Sequence, residues 1–366
     1  MSRCGRFALN LAAMAALAGA TGGAAAQSAS PDPYMAKQLS NAVRGNLFMR
    51  LGYTGISVKN KSSDAYDVTG PVVTSQDLRD AATLGDSLDD SNPLSPNNFQ
   101  YAAGEGDLYS NYIDLFTEAV DKAGGGLGTP KGIKAKVGDA ATLTLSVGYW
   151  LTDEHTWVAE AYVLAAPMTV KAYGTGLNAS GQPNGLADKE ILNTKMLPPL
   201  AVFGRYFGHR DNRFRPYLGL GATYAVFFDT RTTSAYDQYV GGRSTAKLKN
   251  AFGVGPFAGL KWQISDDWHM SFAIGQVKIK TEATVTTYNT MFKSGDRVLS
   301  DYIPEVANSI AIVEQRRATR VDSQFTTKLM QLVAQNRGGS DLGTYVRKQD
   351  QTLTNTVFNL SIGRSF

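Results

Sequence analysis

The chain has 366 residues, 43% hydrophobic and 19% charged, with 37 Gly and one Cys. A charged fraction below the roughly 25% of ordinary soluble domains, with abundant glycine, excludes a disordered, collagenous or disulfide-stapled chain. The formal net charge of +4 leaves no electrostatic footprint for nucleic acid.

The first element is a leader over residues 1–26. Arg3 and Arg6 precede an apolar stretch from residue 7 to 20, and Ala24, Ala25 and Ala26 offer small residues for cleavage after Ala26. The apolar stretch is too short to span a bilayer, so a secretory signal peptide is expected rather than an anchor. Its removal takes away Cys4 and two cations, which lowers the net charge to +2 and excludes metal sites and disulfides built on cysteine. Residues 27–45 are expected as an N-terminal periplasmic segment, and 46–366 as one folded unit. Beyond residue 26 no run of 18 apolar residues occurs, so no transmembrane helix is expected.

From residue 46 onward the apolar residues follow a period of two. Leu47, Met49, Leu51 and Tyr53 alternate with Phe48, Arg50, Gly52 and Thr54. Leu143, Leu145 and Val147 alternate with Thr144, Ser146 and Gly148, and Leu218, Leu220 and Ala222 with Gly219, Gly221 and Thr223. Such alternation makes strands with one greasy face and one small or polar face. Eight segments fit: 46–59, 139–151, 157–171, 196–207, 214–228, 251–264, 267–283 and 352–366. Each meets the 9–11 residues that a tilted strand needs to cross a bilayer. Their connections alternate short (152–156, 208–213, 265–266) and long (about 60–138, 172–195, 229–250 and 284–351). This predicts an all-β fold: an eight-stranded antiparallel transmembrane β-barrel with short periplasmic turns and long, partly helical extracellular loops. The expected location is the outer membrane of a Gram-negative bacterium, in contact with its lipid and lipopolysaccharide. A soluble β-sandwich is the alternative. Pro256, inside a strand with no free edge, predicts a bulge.

Aromatic residues cluster beside the short turns. Tyr149, Trp157, Tyr206, Trp262 and Trp268 are expected as an interfacial girdle, while strict alternation turns Trp150 inward. The last segment sets Phe358, Leu360, Ile362 and Phe366 on one face. This resembles the signal by which the barrel-assembly machinery recognises its clients, with Arg364 as a departure.

Two long loops carry helical spacing. Leu108, Tyr112, Leu115, Phe116 and Val120 form one stripe; Ile303, Val306, Ile310 and Val313, then Val321, Phe325, Leu329 and Leu332, form two more. These helices are expected to pack together as a cap over the outer mouth, with a membrane-surface helix as the alternative.

Several motifs resemble the OmpW family of eight-stranded outer-membrane proteins. They are Lys195-Met196-Leu197-Pro198-Pro199 before a strand ending Arg205-Tyr206-Phe207, then the run from Phe214 to Tyr224, and Phe227-Phe228-Asp229-Thr230. Leu151-Thr152-Asp153, Leu164-Ala165-Ala166-Pro167 and Ser265-Asp266-Asp267-Trp268 match in order. The first and last outer loops are longer than in that family. The resemblance implies a monomeric barrel with a narrow, largely apolar lumen that admits small hydrophobic molecules, with lateral exit through the wall. It also implies loops exposed to bacteriocins or phages, which leaves a non-conducting structural or surface-recognition barrel as the alternative function.

Eight strands leave at most a narrow passage, so inward charges decide what passes. Alternation turns Arg50, Arg215 and Lys261 into the lumen near the periplasmic rim, and the cost of a lipid-facing carboxylate turns Glu160 there too. These four are expected to form a closing charge layer, or less readily a selectivity filter. His155, His209 and His269 fall in or beside short turns and read as solvated residues. No Ser-His-Asp order or metal-ligand spacing is present, so neither an enzyme nor a cofactor is expected.

Overall fold

The computed structural model describes residues 45–98, 113–114, 116–118, 120–121, 126–127, 134–177, 185–292 and 325–366. The leader, its cleavage site after Ala26, the segment to residue 44, the stripe from Ile303 to Val313, and Val321 lie outside the described residues. So do Leu108, Tyr112 and Leu115.

Fifteen strands are described. They are β1 (Leu47–Ser62), β2 (Tyr66–Asp67), β3 (Val73–Thr74), β4 (Gly126–Leu127), β5 (Ala135–Val137), β6 (Ala140–Trp150), β7 (Trp157–Leu164) and β8 (Met168–Gly174). There follow β9 (Glu190–Leu197), β10 (Leu200–Tyr206), β11 (Phe214–Thr232), β12 (Arg243–Leu248), β13 (Ala251–Gln263), β14 (Trp268–Tyr288) and β15 (Tyr345–Ser365). Helices α1 (Ser75–Asp86), α2 (Ser234–Val240) and α3 (Phe325–Asn336) lie in the long connections, and the described residues 113–114, 116–118 and 120–121 of the first loop are helical as well.

Eight strands close on themselves in antiparallel register: β1–β6–β7–β10–β11–β13–β14–β15, with β15 returning to β1. Closure leaves no free edge strand and pairs the ladder groups inside lipid except at two short gaps, beside Pro256 and between the β7–β10 and β8–β9 pairings. All eight expected strands are present, and the terminal pair meets from Phe48↔Ser365 to Ser62↔Gln351. At their outer ends the strands continue beyond the expected limits. β15 begins at Tyr345, β8 runs past the expected limit at residue 171 to Gly174, β9 begins at Glu190 and not at residue 196, and β12 stands where a loop was expected.

Outward positions make an apolar belt. Leu51, Leu218, Leu220, Phe252, Phe272 and Leu360 are all exposed, whereas the residues between them are buried or half-buried. A soluble sandwich does not solvate such a surface; lipid does. Phe358, Leu360, Ile362 and Phe366 lie on this outward face, and Arg364 pairs with Asp267 at 3.5 Å beside them.

Pro256 corrects one expectation. The β13–β14 register is the same on both sides of it, Val254↔Lys278 and Phe257↔Gly275, so no bulge forms. The ladder lapses for two residues instead. A Cβ on the neighbouring Gly255 would stand 1.7 Å from the Gln276 carbonyl oxygen, so only glycine permits this close backbone approach.

Above the barrel the long connections form a second apolar core. Leu78 and Ala81 of α1, Phe116 and Val120 of the first loop, and Leu329, Leu332 and Val333 of α3 are buried together with Phe292 and Tyr345. The first and fourth loops therefore pack against each other. The Arg337 fork grips Asp77, Nη2 to Oδ2 at 2.6 Å and Nε to Oδ1 at 3.1 Å, and Nη1 donates to the carbonyls of Val72 and Leu342. Helix α1 starts on a capping box: the Thr74 hydroxyl accepts from the Asp77 amide, and the Asp77 carboxylate accepts from the Thr74 amide.

Candidate functional site: a charged layer beneath an apolar lumen

Near the periplasmic rim four charged side chains converge. Arg50, Glu160, Arg215 and Lys261 are all buried on the lumen side. Arg50 Nη1 donates to Glu160 Oε2 at 2.6 Å, and the Ser146 hydroxyl donates to the other carboxylate oxygen at 2.6 Å. Arg50 Nε donates to His269 Nε2 at 3.0 Å and Nη2 to the Tyr206 hydroxyl at 3.4 Å. Arg215 donates to the His155 carbonyl at 2.8 Å, which ties the layer to the periplasmic turn. The guanidinium of Arg215 and the ammonium of Lys261 lie 5.6 and 5.2 Å from the Trp150 ring, and the guanidinium of Arg50 lies 4.3 Å from the Phe48 ring. The one carboxylate is thus taken by Arg50, and aromatic faces supply electron density to Arg215 and Lys261.

The packing of this layer is large against small. The Phe48 ring covers Gly148, where a Cβ would stand 2.0 Å from Cζ. His155 stacks on Trp150 at 4.8 Å with φ of 51°, and Tyr206 stacks on Tyr217 at 4.8 Å. Burial, with the charges of Arg210, Lys261 and Arg215 added, pulls the His155 imidazole down to about 4. It is therefore neutral at physiological pH.

Three sequence expectations are corrected here, the first being His155, expected as a solvated turn residue but buried against the Trp150 ring. Tyr206 is not a girdle residue: it is 2% exposed and turned into the lumen, because β10 presents Phe203 and Arg205 outward and Phe207 follows at the same parity. His269 is not a solvated turn residue: it is fully buried as the acceptor for Arg50. His209 is exposed beside Asp211. The outward rim holds Trp157 stacked on Phe203, Trp262 stacked on Phe214, Trp268, and Tyr149 half-buried on the outward side of β6. Trp150 faces inward, as alternation requires. Ser146 and His269 were missed as members of the layer, although both stand at inward parity.

One turn higher, Asn359 Nδ2 donates to the hydroxyls of Thr54 and Thr144, which lie 3.0 Å from each other. Above this small polar ring the lumen opens. A cavity of about 640 Å3, open solvent included, is walled by Ile56, Leu164, Met196, Leu200, Phe257 and Val277, among others. A second, of about 910 Å3 with open solvent included, is walled mainly by Val170, Ala172, Ile191, Phe227, Leu248 and Leu353. Its buried cation, Arg347, is 3.3 Å from Asp67 and donates to the Thr287 hydroxyl.

The wall beside the lower cavity is incomplete. β7 pairs with β10 up to Tyr162↔Leu200, and β8 with β9 from Met168↔Met196; among the described residues no ladder pair joins the strands between these points. Ala165-Ala166-Pro167 interrupts one strand and Pro198-Pro199 the other. Proline brings no N–H, so neither piece can bridge to its neighbour there. Each keeps its other partner: the Ala165 amide donates to the Leu143 carbonyl, and the Pro199 carbonyl accepts from the Tyr224 amide. Tyr162, Leu164, Pro198 and Leu200 line the cavity at this break.

The OmpW family model matches residues 114–301, more than half of the chain. The chain belongs to the OmpW family. It is accordingly an outer-membrane β-barrel protein of a Gram-negative bacterium. It is 31% identical over 142 residues to outer membrane protein W of Vibrio cholerae, which covers 39% of this chain and 60% of that protein. It is 28% identical over 190 residues to the Escherichia coli protein of the same name, covering 52% and 80%. Among solved structures, the outer membrane protein OprG of Pseudomonas aeruginosa superposes with a TM-score of 0.49 at 16% identity, covering 88% of this chain and 96% of that one.

Proposed function

We propose that the protein passes small hydrophobic molecules from the outer face into the apolar lumen and out sideways into the membrane. The observation that carries this reading is the conjunction of a cavity ending on a charged, filled layer with a wall lacking ladder bonds beside that same cavity. An apolar solute does not cross a layer of buried charge, because the layer cannot give up its hydrogen bonds to a partner that offers none. At the break between Ala165 and Pro199 it meets side chains and lipid only.

The test is uptake by proteoliposomes of an apolar fluorescent tracer and of a sugar of similar size. Faster entry of the tracer, with the sugar at the rate of empty vesicles, is expected. Equal rates for both, or no gain for the tracer, would refute the carrier reading. A non-conducting recognition barrel is the second reading, and the buried core shared by the first and fourth loops favours it, because a rigid outer surface suits partner binding. Under that reading no tracer enters. We also infer that the barrel works as a monomer without a cofactor or catalytic step, and that the assembly machinery reads the outward row Phe358, Leu360, Ile362 and Phe366.

A further inference from the structure

The outer wall is charged unevenly just beyond the apolar belt. On β14 the outward row runs Trp268, Met270, Phe272 and Ile274, then changes to Gln276, Lys278 and Lys280. On β1 it runs Met49, Leu51 and Tyr53, then Ser57, Lys59 and Lys61. Strand β15 lies between them. Thr354 is paired with both Lys59 and Lys278, and Thr352 with both Lys61 and Lys280. The four ammonium-bearing positions therefore frame a floor of hydroxyls. Their Cα atoms are about 10 Å apart across the strands and about 7 Å apart along them.

None of the four lysines makes an ion pair among the described residues, whereas the cations on the opposite wall are matched: Lys171 with Glu190 at 2.8 Å, and Lys195 and Arg231 with Asp229 at 3.0 and 2.7 Å. On the same face Glu282 is taken by Lys348 at 2.9 Å and Asp350 is exposed one register step beyond Thr352, so four lysines at the border of a lipid-facing belt outnumber the carboxylates beside them and are open to a ligand outside the chain. On the far side of Lys278 the register places Val254, which is exposed and apolar. A ligand here would meet fixed cations, hydroxyls and a greasy wall together.

We propose that Lys59, Lys61, Lys278 and Lys280 form a binding site for the phosphorylated head group of an outer-leaflet glycolipid, the lipopolysaccharide expected around this barrel. Phosphates take the ammonium groups, Thr352 and Thr354 donate to phosphate or sugar oxygens, and the acyl chains lie along the belt below. Lysine serves as a point charge for phosphate, and the arrangement needs no bidentate geometry.

The test uses the full-length protein in nanodiscs containing lipopolysaccharide or the same glycolipid with its phosphates removed. The variants are Lys59→Gln/Lys61→Gln/Lys278→Gln/Lys280→Gln and the corresponding Arg replacement. Wild type and the Arg variant are expected to retain the phosphorylated glycolipid through detergent extraction. The Gln variant should retain it about tenfold less or weaker still, with its compact band on an unheated gel unchanged. Equal retention by the Gln variant, or equal retention of the dephosphorylated glycolipid by wild type, would overturn the proposal. Because the readout is lipid retention and not flux, its failure is distinguishable from failure of the carrier reading.

Discussion

Glu160→Gln tests whether the lumen layer holds the barrel together as well as closing it. Glu160 supplies the single carboxylate of the layer, accepting from Arg50 and Ser146 at 2.6 Å each, and the Arg50 and Glu160 side chains are 0 and 2% exposed. The amide keeps the shape but removes the charge, so Arg50 stays buried beside Arg215 and Lys261 with no counter-ion in the layer. Breaking a buried pair in this way costs about 3–5 kcal/mol. Removing both charges, as in Arg50→Gln/Glu160→Gln, removes the cation that Glu160 had paired, and the double variant should recover about 1–3 kcal/mol relative to the sum of the singles. Urea unfolding from phospholipid vesicles, followed by tryptophan fluorescence and by the compact band on unheated gels, measures both quantities. A Glu160→Gln midpoint indistinguishable from wild type, or strict additivity of the two changes, would show that water, and not Glu160, balances Arg50.

Three further outcomes are expected. Gly148→Val should prevent the compact form, because a Cβ there stands 2.0 Å from the Phe48 ring and overpacking costs at least 1–3 kcal/mol; the gel assay reads it, and a normal band would refute the packing. Arg337→Ala removes the fork on Asp77 and its bonds to the Val72 and Leu342 carbonyls, at about 1–3 kcal/mol for the groups left unpaired. Protease should then cut the long loops faster while the barrel stays compact; unchanged cutting would count against the fork. Since the folded His155 imidazole is held at about 4 against an ordinary value near 6.5, the unfolded chain binds the proton more readily between these values. Stability from this group is complete above pH 6.5 and falls as pH drops toward 4. A His155→Gln variant should lose that slope, and retention of the slope would assign it to another group.

The barrel was legible because lipid imposes period two on every strand, as in Leu218, Leu220 and Leu360 against Gly219, Gly221 and Ser361. Where lipid ends, the signal ends. Arg347 to Gln351 are polar on both faces, and Glu190 to Thr194 sets Ile191 and Leu192 side by side without alternation, so both read as loop although they continue the strands. The inward charges Arg50, Arg215 and Lys261 followed from parity and Glu160 from desolvation cost, but Tyr206 and His269 did not, since a residue next to a turn was assigned by chemistry instead of parity. Helix α1 was invisible to apolar spacing because its buried face is Ser75, Leu78, Ala81 and Gly85, mostly small. The Thr74-x-x-Asp77 box was the signal that could have found it.

The members of the charged layer arrive from almost every stave of the cylinder: Arg50 from β1, Ser146 from β6, Glu160 from β7, Tyr206 from β10, Arg215 from β11, Lys261 from β13 and His269 from β14. Arg50 meets Glu160 across 110 residues and His269 across 219. Ser146 and Glu160 come within reach of Arg50 once β1, β6 and β7 are paired, but His269 reaches it only when β15 joins β1 to β14, so the clasp is complete only in a finished ring. A half-wound intermediate would carry bare charge toward the bilayer. The chain thereby counts its own strands, and a molecule missing one is penalised before it settles in the membrane.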